Sequence, residues 1–325
     1  MGGLWILLLF AGVGEPEAPN GDDDLAPSST SSQARAAGPA LNWYSLISRD
    51  EVEAELELRH LLGGELPEIL ERVTRGLVAA PYLLSPLGEG RGVDPDPRFR
   101  VDAFDCTTFV ETAIALTLCD ELPEAQALLD RIRYRGEPNF GARRHLMTSQ
   151  WIPGLIEEGY LVDITRKVGR ARTKTVQLEL TEARWGRRRV AKELALDEVP
   201  YGSWSLDYLP VAELEHFADR IPAGTIINVV RADAPSSPDL ITHQALVLAR
   251  PDGTRFVRHA SPVSKRVVDE TITKIITRYQ KPRAWPILGL NLLTLADGSE
   301  RSTPAAPLRA ADQGSSAPKP RAGQR

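Results

Sequence analysis

Three features that would settle the class of this 325-residue chain at once are missing from it. No run of about 18 apolar residues occurs, the length that a helix needs to cross a bilayer, so no integral membrane span is expected. The formal charge of −5 provides no global basic field, so nucleic acid is not an expected partner. Only two cysteines are present, and the chain is long enough for a core that needs no disulfide staples.

The two cysteines, Cys106 and Cys119, lie in one apolar stretch. If that stretch is a helix, a rise of about 1.5 Å per residue separates them by roughly 20 Å. A disulfide tolerates Cα separations only up to about 7 Å, so the two are not expected to pair with each other. An unpaired cysteine in an exported protein needs a reason in packing or in chemistry.

The composition at both ends of the chain predicts segments that lie outside the folded domain. Residues 4–13 have the length and composition of a signal-peptide apolar region, so we expect a signal peptide at residues 1–14 and an exported protein, periplasmic or secreted. An incidental apolar start is the alternative, because no Lys or Arg precedes the run. Residues 15–40 predict a disordered linker, residues 41–297 the folded domain, and residues 298–325 a disordered tail.

The hydrophobic periodicity changes along the folded part. Residues 51–62 and 65–78 carry leucines at helical spacing. The later segments 224–230, 243–250 and 254–261 are short, β-branched and bounded by turn residues, as is typical of strands. Helices followed by a meander of strands predict an α+β fold rather than a doubly wound parallel sheet.

Cys106 stands at the start of a predicted helix. One broad buried face is expected, because apolar side chains recur at three- and four-residue spacing: Phe109, Val110, Ala113, Ile114 and Thr117. Asp105 is a good N-cap and places Cys106 at the first helical position. The free N–H groups and the helix dipole there favour a thiolate, so a lowered pKa is expected, and the same N–H groups suit an oxyanion. The alternative is a small buried hydrophobe.

A base is needed to decide between these interpretations, and the chain has five histidines: His60, His145, His216, His243 and His259. If residues 251–253 form a three-residue hairpin loop, Arg250 pairs with Thr254, Ala245 with His259, and His243 with Ser261.

This register puts His243 and His259 on one face, as diagonal neighbours about 7–8 Å apart. One imidazole can then act as a base toward Cys106 while the other fixes its tautomer. Two unrelated strand histidines, or half of a metal site, are the alternatives. No metal is expected, because no Asp or Glu lies at ligand spacing near them.

The order of these residues resembles the NlpC/p60 superfamily of papain-like cell-wall hydrolases. The segment APYLLSPLGEG resembles the one that precedes the nucleophile there, whose tyrosine enters the active site; here it is Tyr82. Six motifs in order (FDCTTFVE, RRHLMTSQWI, LDYLP, PAGTIINVV, ITHQALVL and RHAS) are similar to the branch described as N-acetylmuramoyl-L-alanine amidase-like, formerly a domain of unknown function. The resemblance covers residues 43–295.

The resemblance implies a papain-like fold, in which the helix with the nucleophile packs on an antiparallel sheet. It makes Cys106 the nucleophile, His243 the base and His259 the residue that orients the base. Tyr82 is implied to help hold the oxyanion.

Asp105, Arg144, His145 and Trp151 are further candidates for oxyanion or substrate binding; the last three are candidates for lining a cleft. The implied substrates are peptidoglycan fragments (muropeptides), cleaved at the amide between N-acetylmuramic acid and L-alanine. No cofactor is expected.

The chain departs from the superfamily pattern next to the base. Many relatives have valine and glycine where this chain has Gln244 and Ala245, and Asp-Cys-Thr-Thr replaces the commoner Asp-Cys-Ser-Gly. The second departure favours the amidase-like branch. Three alternatives stay open: an endopeptidase that cuts within the stem peptide, a muropeptide-binding module with little turnover, and an acyltransferase that uses the same thioester.

Overall fold

A computed structural model describes residues 48–185, 194 and 199–296. The predicted signal peptide, linker and tail (1–14, 15–40 and 298–325) lie outside the described residues. Within the described residues, no helix has both the length and the apolar character to cross a membrane.

The described helices fall mainly in the first half of the chain and in one late segment. Their bounds in chain order are α1 Arg49–Leu61, α2 Leu66–Arg75, α3 Cys106–Leu118, α4 Leu122–Arg133, α5 Ile152–Glu157, α6 Thr165–Gly169, α7 Glu182–Trp185, α8 Leu214–Phe217 and α9 Ile272–Gln280. A π-helical turn, Met147–Trp151, leads into α5. The periodicity at 51–62 and 65–78 therefore predicts α1 and α2 correctly.

The strands form one antiparallel sheet in the described residues. Their bounds are β1 Leu161–Asp163, β2 Lys174–Leu180, β3 Gly202–Pro210, β4 Thr225–Arg231, β5 Ile241–Ala249, β6 Arg255–Ser261, β7 Arg266–Thr271 and β8 Ile287–Leu295. The order across the sheet is β2-β3-β8-β4-β5-β6-β7, and β1 pairs with β8. The α+β class with an antiparallel sheet is confirmed.

The sheet is buried on both faces because its central strands alternate between two apolar clusters. In β5, Leu246 packs into a cluster with the side chains of α1 to α5, and Val247 packs into a second cluster with those of α6, α8 and α9. The period of two in a strand produces this division directly. The sheet therefore lies between two helical layers, with α3 on one side and α9 on the other.

Helix α3 begins at Cys106, as the sequence predicts, but it is buried more completely than predicted. Every residue from 108 to 117 is buried, not one broad face. The reason is that α3 packs against β5 and β6 on one side and against α2 and α4 on the others. Even its carboxylate, Glu111, is enclosed, and it is stabilised by Arg133 at 2.7 Å and by Trp151 Nε1 at 3.0 Å.

The hairpin between β5 and β6 has the predicted register. Its ladder runs from Ala249–Arg255 to Leu246–Arg258, and the Arg250 N–H donates to the Thr254 carbonyl at 2.9 Å. Gly253 has a φ of 83°, the left-handed conformation that the three-residue loop requires. This register sends the side chains of His243 and His259 to the same face of the sheet.

Candidate active site

The N-terminus of α3 is fixed by a capping box around Asp105. One carboxylate oxygen accepts from the N–H and the hydroxyl of Thr108, both at 2.8 Å, and the Thr108 hydroxyl interacts with the Asp105 N–H at 3.0 Å. The other carboxylate oxygen accepts from the Ser85 N–H at 2.9 Å. Asp105 thus ties the preceding loop to the helix and holds Cys106 at the first helical position.

The Cys106 sulfur lies against the backbone of β5. It interacts with the N–H of Gln244, the residue that follows His243, and with the N–H and hydroxyl of Thr107, whose oxygen is 4.0 Å away. No disulfide joins Cys106 to Cys119. The thiol at the mouth of α3 is therefore seated beside the strand that carries the predicted base.

The expectation of a lowered thiol pKa is wrong in direction. Burial and the carboxylate of Asp105 raise the pKa of Cys106 to about 12, and the N–H groups of Gln244 and Thr107 offset this only in part. Desolvation and an adjacent negative charge outweigh the N–H donors that the start of the helix provides. Cys106 therefore rests as a neutral thiol.

His243 and His259 are joined directly. Nε2 of His243 lies 2.8 Å from Nδ1 of His259, with the rings nearly perpendicular at 82°. Burial, with the neighbouring His259, lowers the pKa of His243 to about 3, and burial lowers that of His259. Both imidazoles are therefore neutral near pH 7.

Behind this pair stands a carboxylate that the sequence analysis missed. Nε2 of His259 lies 3.0 Å from Oε2 of Glu270, and Arg278 donates to both oxygens of Glu270 at 2.7 Å. The hydrogen bond from Arg278 is the main reason that the pKa of Glu270 falls to about 2.

The sequence analysis found no Asp or Glu at ligand spacing near the histidines, but the fold brings Glu270 into contact with His259. Glu270 lies on β7, a strand that the sequence analysis did not identify. Had residues 266–271 been recognised as a strand next to β6, alternation would have put Glu270 on the histidine face.

Tyr82 is held next to the thiol. Its N–H donates to the Lys265 carbonyl at 2.9 Å, and its backbone bridges to Phe104, two residues before Cys106. Burial raises the pKa of the Tyr82 hydroxyl; a negative charge on Cys106, when the thiol ionises, and the Asp105 carboxylate raise it further. The hydroxyl therefore stays protonated at neutral pH and is available as a donor.

Tyr279, on α9, was also missed. Its hydroxyl pKa is raised mainly by burial, and negative charge on Cys106 and Glu270 contributes. Like Tyr82, Tyr279 lies within electrostatic range of Cys106, and it approaches from the α9 layer.

The other three candidates are engaged by protein groups. The Arg144 guanidinium donates to the carbonyls of residues 131, 132 and 134 and pairs with Glu158. Nε2 of His145 lies 2.6 Å from the Phe140 carbonyl, and burial lowers its pKa to about 3. Trp151 has no exposed surface and donates to Glu111. The structure thus brings Tyr82 and Asp105 to Cys106, and it seats the Cys106 sulfur against the strand of the His243–His259 pair. Arg144, His145 and Trp151 are held by other protein groups instead.

The two residues after His243 are accommodated by the fold. The Gln244 amide donates to Asn228 at 2.8 Å, and the Asn228 amide donates to Asn291 at 2.9 Å, so a chain of buried amides crosses three adjacent strands. The Ala245 methyl group packs on the other face, in the cluster with Val247 and the side chains of α9.

The described residues also bear on whether the protein could bind a metal ion. Among residues 48–185, 194 and 199–296, no group of three His, Cys, Asp or Glu side chains is arranged to hold a metal ion.

The fold and the site define a mixed α+β protein that seats a helix-capping thiol against the strand of a linked pair of histidines. The model of the AmiA-like family, N-acetylmuramoyl-L-alanine amidase-like, matches residues 72–281, which is more than half of the chain. The chain belongs to this family. No curated protein matches it.

Two solved structures share the fold. A protein from Legionella pneumophila superposes with a TM-score of 0.65 at 21% identity, over 78% of this chain and 97% of that one. An N-acetylmuramoyl-L-alanine amidase from Bacteroides uniformis superposes with a TM-score of 0.53 at 20% identity, over 76% of this chain and all of the other. At these identities the likeness concerns the fold alone.

Proposed function

We propose that this protein is a peptidoglycan hydrolase, a cysteine amidase that cleaves the bond between N-acetylmuramic acid and L-alanine in muropeptides. The observation that carries the proposal is the seating of the Cys106 thiol against the strand of His243, whose Nε2 lies 2.8 Å from Nδ1 of His259. A nucleophile beside a base that is itself oriented by a third group is the pattern of nucleophilic acyl transfer. Membership of an amidase-like family supports the choice of bond.

The reaction follows from the resting protonation states. Cys106 is a thiol and His243 a neutral imidazole, so the thiol proton passes to His243 as the sulfur attacks the carbonyl carbon of the lactyl group. The protonated His243 then gives that proton to the nitrogen of L-alanine as the C–N bond breaks, which leaves a muramyl thioester. Water, deprotonated by His243, hydrolyses the thioester and frees the muramyl carboxylate and the thiol.

The tetrahedral intermediates carry an oxyanion that needs donors already in place. The Cys106 N–H at the open end of α3 and the protonated hydroxyl of Tyr82 are the proposed donors. Asp105 acts indirectly, because its carboxylate is engaged in the helix cap.

We further propose the papain-like NlpC/p60 fold as the framework, because a helix with the nucleophile at its first position packs on an antiparallel sheet that carries the base. Export to the periplasm or the exterior, where peptidoglycan lies, is part of this proposal and rests on the apolar run at residues 4–13. Fractionation of cells that express the full chain tests it, since a protein found only in the cytoplasm would contradict export.

Mass spectrometry of a defined muropeptide tests the activity, with the wild type, Cys106→Ala and the matched thiol variant Cys119→Ala. Release of an intact stem peptide and a free muramyl sugar by the wild type and Cys119→Ala, but not by Cys106→Ala, is the expected result. A shortened stem still attached to the sugar would show an endopeptidase. Capture of the acyl group by an added amine in place of water would show an acyltransferase.

A binding module is the second candidate, because the raised pKa of Cys106 leaves little free thiolate. Against it, the two side chains that depart from the superfamily pattern have defined places in the fold: Gln244 donates to Asn228, and Ala245 packs in the apolar cluster with Val247. Binding of the muropeptide by the wild type without any product would establish the module and exclude the amidase.

A further inference from the structure

The His243–His259 pair is extended by Glu270, whose carboxylate is held by basic side chains. From the surface inward, Arg278 donates to Glu270 at 2.7 Å, Glu270 lies 3.0 Å from His259, and His259 lies 2.8 Å from His243. Lys274 adds a further contact at 2.8 Å to the oxygen of Glu270 that does not face His259. The carboxylate is therefore surrounded by donors on both oxygens.

The hydrogen-bond roles along this chain follow from the acid. An ionised carboxylate is an acceptor only, so Nε2 of His259 must be the donor toward Glu270. A neutral imidazole has one N–H, which leaves Nδ1 of His259 as an acceptor. Nε2 of His243 must then donate to it. The remaining nitrogen, Nδ1 of His243, is left with a lone pair and no proton.

We propose that Glu270 is a positioning residue that sets, through His259, the tautomer in which His243 presents an unprotonated Nδ1 to the thiol. This inference rests on the proposed cysteine amidase function and names what prepares its base. Arg278 and Lys274 hold Glu270 in its ionised form. The same negative charge also stabilises the imidazolium that forms when His243 accepts the proton.

The charges around the pair agree with this role. On β7, Glu270 and, more weakly, Asp269 raise the pKa of His259, whereas Arg278 on α9 lowers it. From β4, Arg231 lowers the pKa of His243. Of the charged groups named here, Glu270 is the one hydrogen-bonded to His259. Its removal is therefore expected to change the tautomers, whereas removal of the more distant charges is not.

The opposite tautomer requires a donor where Glu270 stands. Had His259 carried its proton on Nδ1, it would donate to His243, and Nε2 of His259 would face Glu270 lone pair to lone pair. His243 would then carry its own proton on Nδ1 and could not accept one from Cys106. A neutral amide at position 270 permits this arrangement, because its NH2 group can donate to Nε2 of His259.

The test uses the full chain labelled with ¹⁵N-histidine. Long-range ¹H–¹⁵N correlation spectra at pH 7.5 distinguish Nδ1–H from Nε2–H tautomers, and single histidine replacements assign the five signals. In the wild type, His243 and His259 are both expected as Nε2–H tautomers. In Glu270→Gln, an Nδ1–H form of His259 is expected, with kcat on a muropeptide lowered at least about tenfold and KM within about twofold.

Two further variants separate positioning from folding. Glu270→Asp keeps the carboxylate and is expected to retain the wild-type tautomers and more of kcat than Glu270→Gln does. Asp269→Asn is the matched control on the same strand, where its carboxylate pairs with Arg258 at 2.7 Å on the opposite face. It is expected to change thermal stability without changing the histidine spectra or kcat.

An Nδ1–H tautomer at His259 in the wild type would overturn the inference. So would unchanged tautomers in Glu270→Gln, whatever its kcat or stability, because something other than the carboxylate would then set them. If the wild type cleaves no muropeptide, the spectra still decide: the predicted tautomers would support the role of Glu270 while the proposed function fails.

Discussion

The resting state of Cys106 gives the most direct test of the site. Burial and Asp105 raise the thiol pKa to about 12 from an ordinary value of 9.0. At neutral pH this leaves about a thousandfold less thiolate than in an ordinary cysteine. Because the thiolate is the form that reacts with alkylating reagents, and a thiolate of higher pKa is only partly compensated by its greater nucleophilicity, Cys106 is expected to react at least about tenfold more slowly than a cysteine in an unfolded peptide.

Iodoacetamide alkylation followed by intact mass spectrometry measures this rate. A Cys119→Ser background makes Cys106 the only thiol, and a short cysteine peptide in the same tube is the reference. Between pH 7 and pH 10 the rate at Cys106 is expected to rise about tenfold per pH unit without a plateau. The peptide rate is expected to level off near pH 9.

Asp105→Asn provides a second test, in which the pKa of the Cys106 thiol is expected to fall. The Asp105 carboxylate raises the thiol pKa, so its neutralisation lowers the pKa and accelerates alkylation at any given pH. Asparagine is a good N-cap, so the start of α3 is expected to survive. A wild-type rate that is already at a plateau below pH 8 would refute the reasoning, because it would show a thiolate–imidazolium pair in the resting enzyme.

Two other predictions concern the candidate residues. Trp151→Phe removes the buried donor to Glu111 and is expected to lower the free energy of unfolding by about 1–3 kcal/mol. Its melting temperature should fall by about 2–4 °C per kcal/mol, with kcat/KM for the muropeptide within about twofold of wild type. The acid limb of kcat/KM should lie well below pH 6.5, because the base must be neutral and the pKa of His243 is lowered to about 3. Activity is measured down to the pH at which circular dichroism shows loss of the fold.

Both of these predictions, for Trp151→Phe and for the acid limb, can be contradicted by experiment. A large loss of kcat/KM in Trp151→Phe at an unchanged melting temperature would give the indole a role in the cleft. An acid limb near pH 6.5 in a folded protein would mean that the base is a solvated histidine and not His243 in its buried setting.

The sequence predicts the parts of this site that depend on local rules. Asp105 as N-cap and Cys106 at the first helical position follow from side-chain capping chemistry, which acts over three residues. The register of the hairpin follows from a loop with Gly253 at its left-handed position, and it puts His243 and His259 on one face. Both predictions need only neighbours in the chain.

What the sequence does not predict depends on long-range packing. The pKa of the Cys106 thiol is raised where a lowered pKa was predicted, because α3 is enclosed between the sheet and other helices. Hydrophobic periodicity does not predict that enclosure. The position of Glu270 was not predicted, because its strand, RVVDET, is short and polar and lacks a clear strand pattern. Trp151 was a cleft candidate because its motif also contains Arg144 and His145. Its burial against Glu111 depends on how two distant segments pack, which the motif does not show.

The amide chain from Gln244 through Asn228 to Asn291 has a consequence for how the catalytic strand is aligned. Each amide finds its partner only when β5, β4 and β8 are in the present register. A slip of β5 by one residue would turn Gln244 toward the α9 layer and His243 toward the leucines on the α3 side. The three buried amides therefore fix the register of β5, and with it the position of His243, from β4 and β8 in the interior of the sheet.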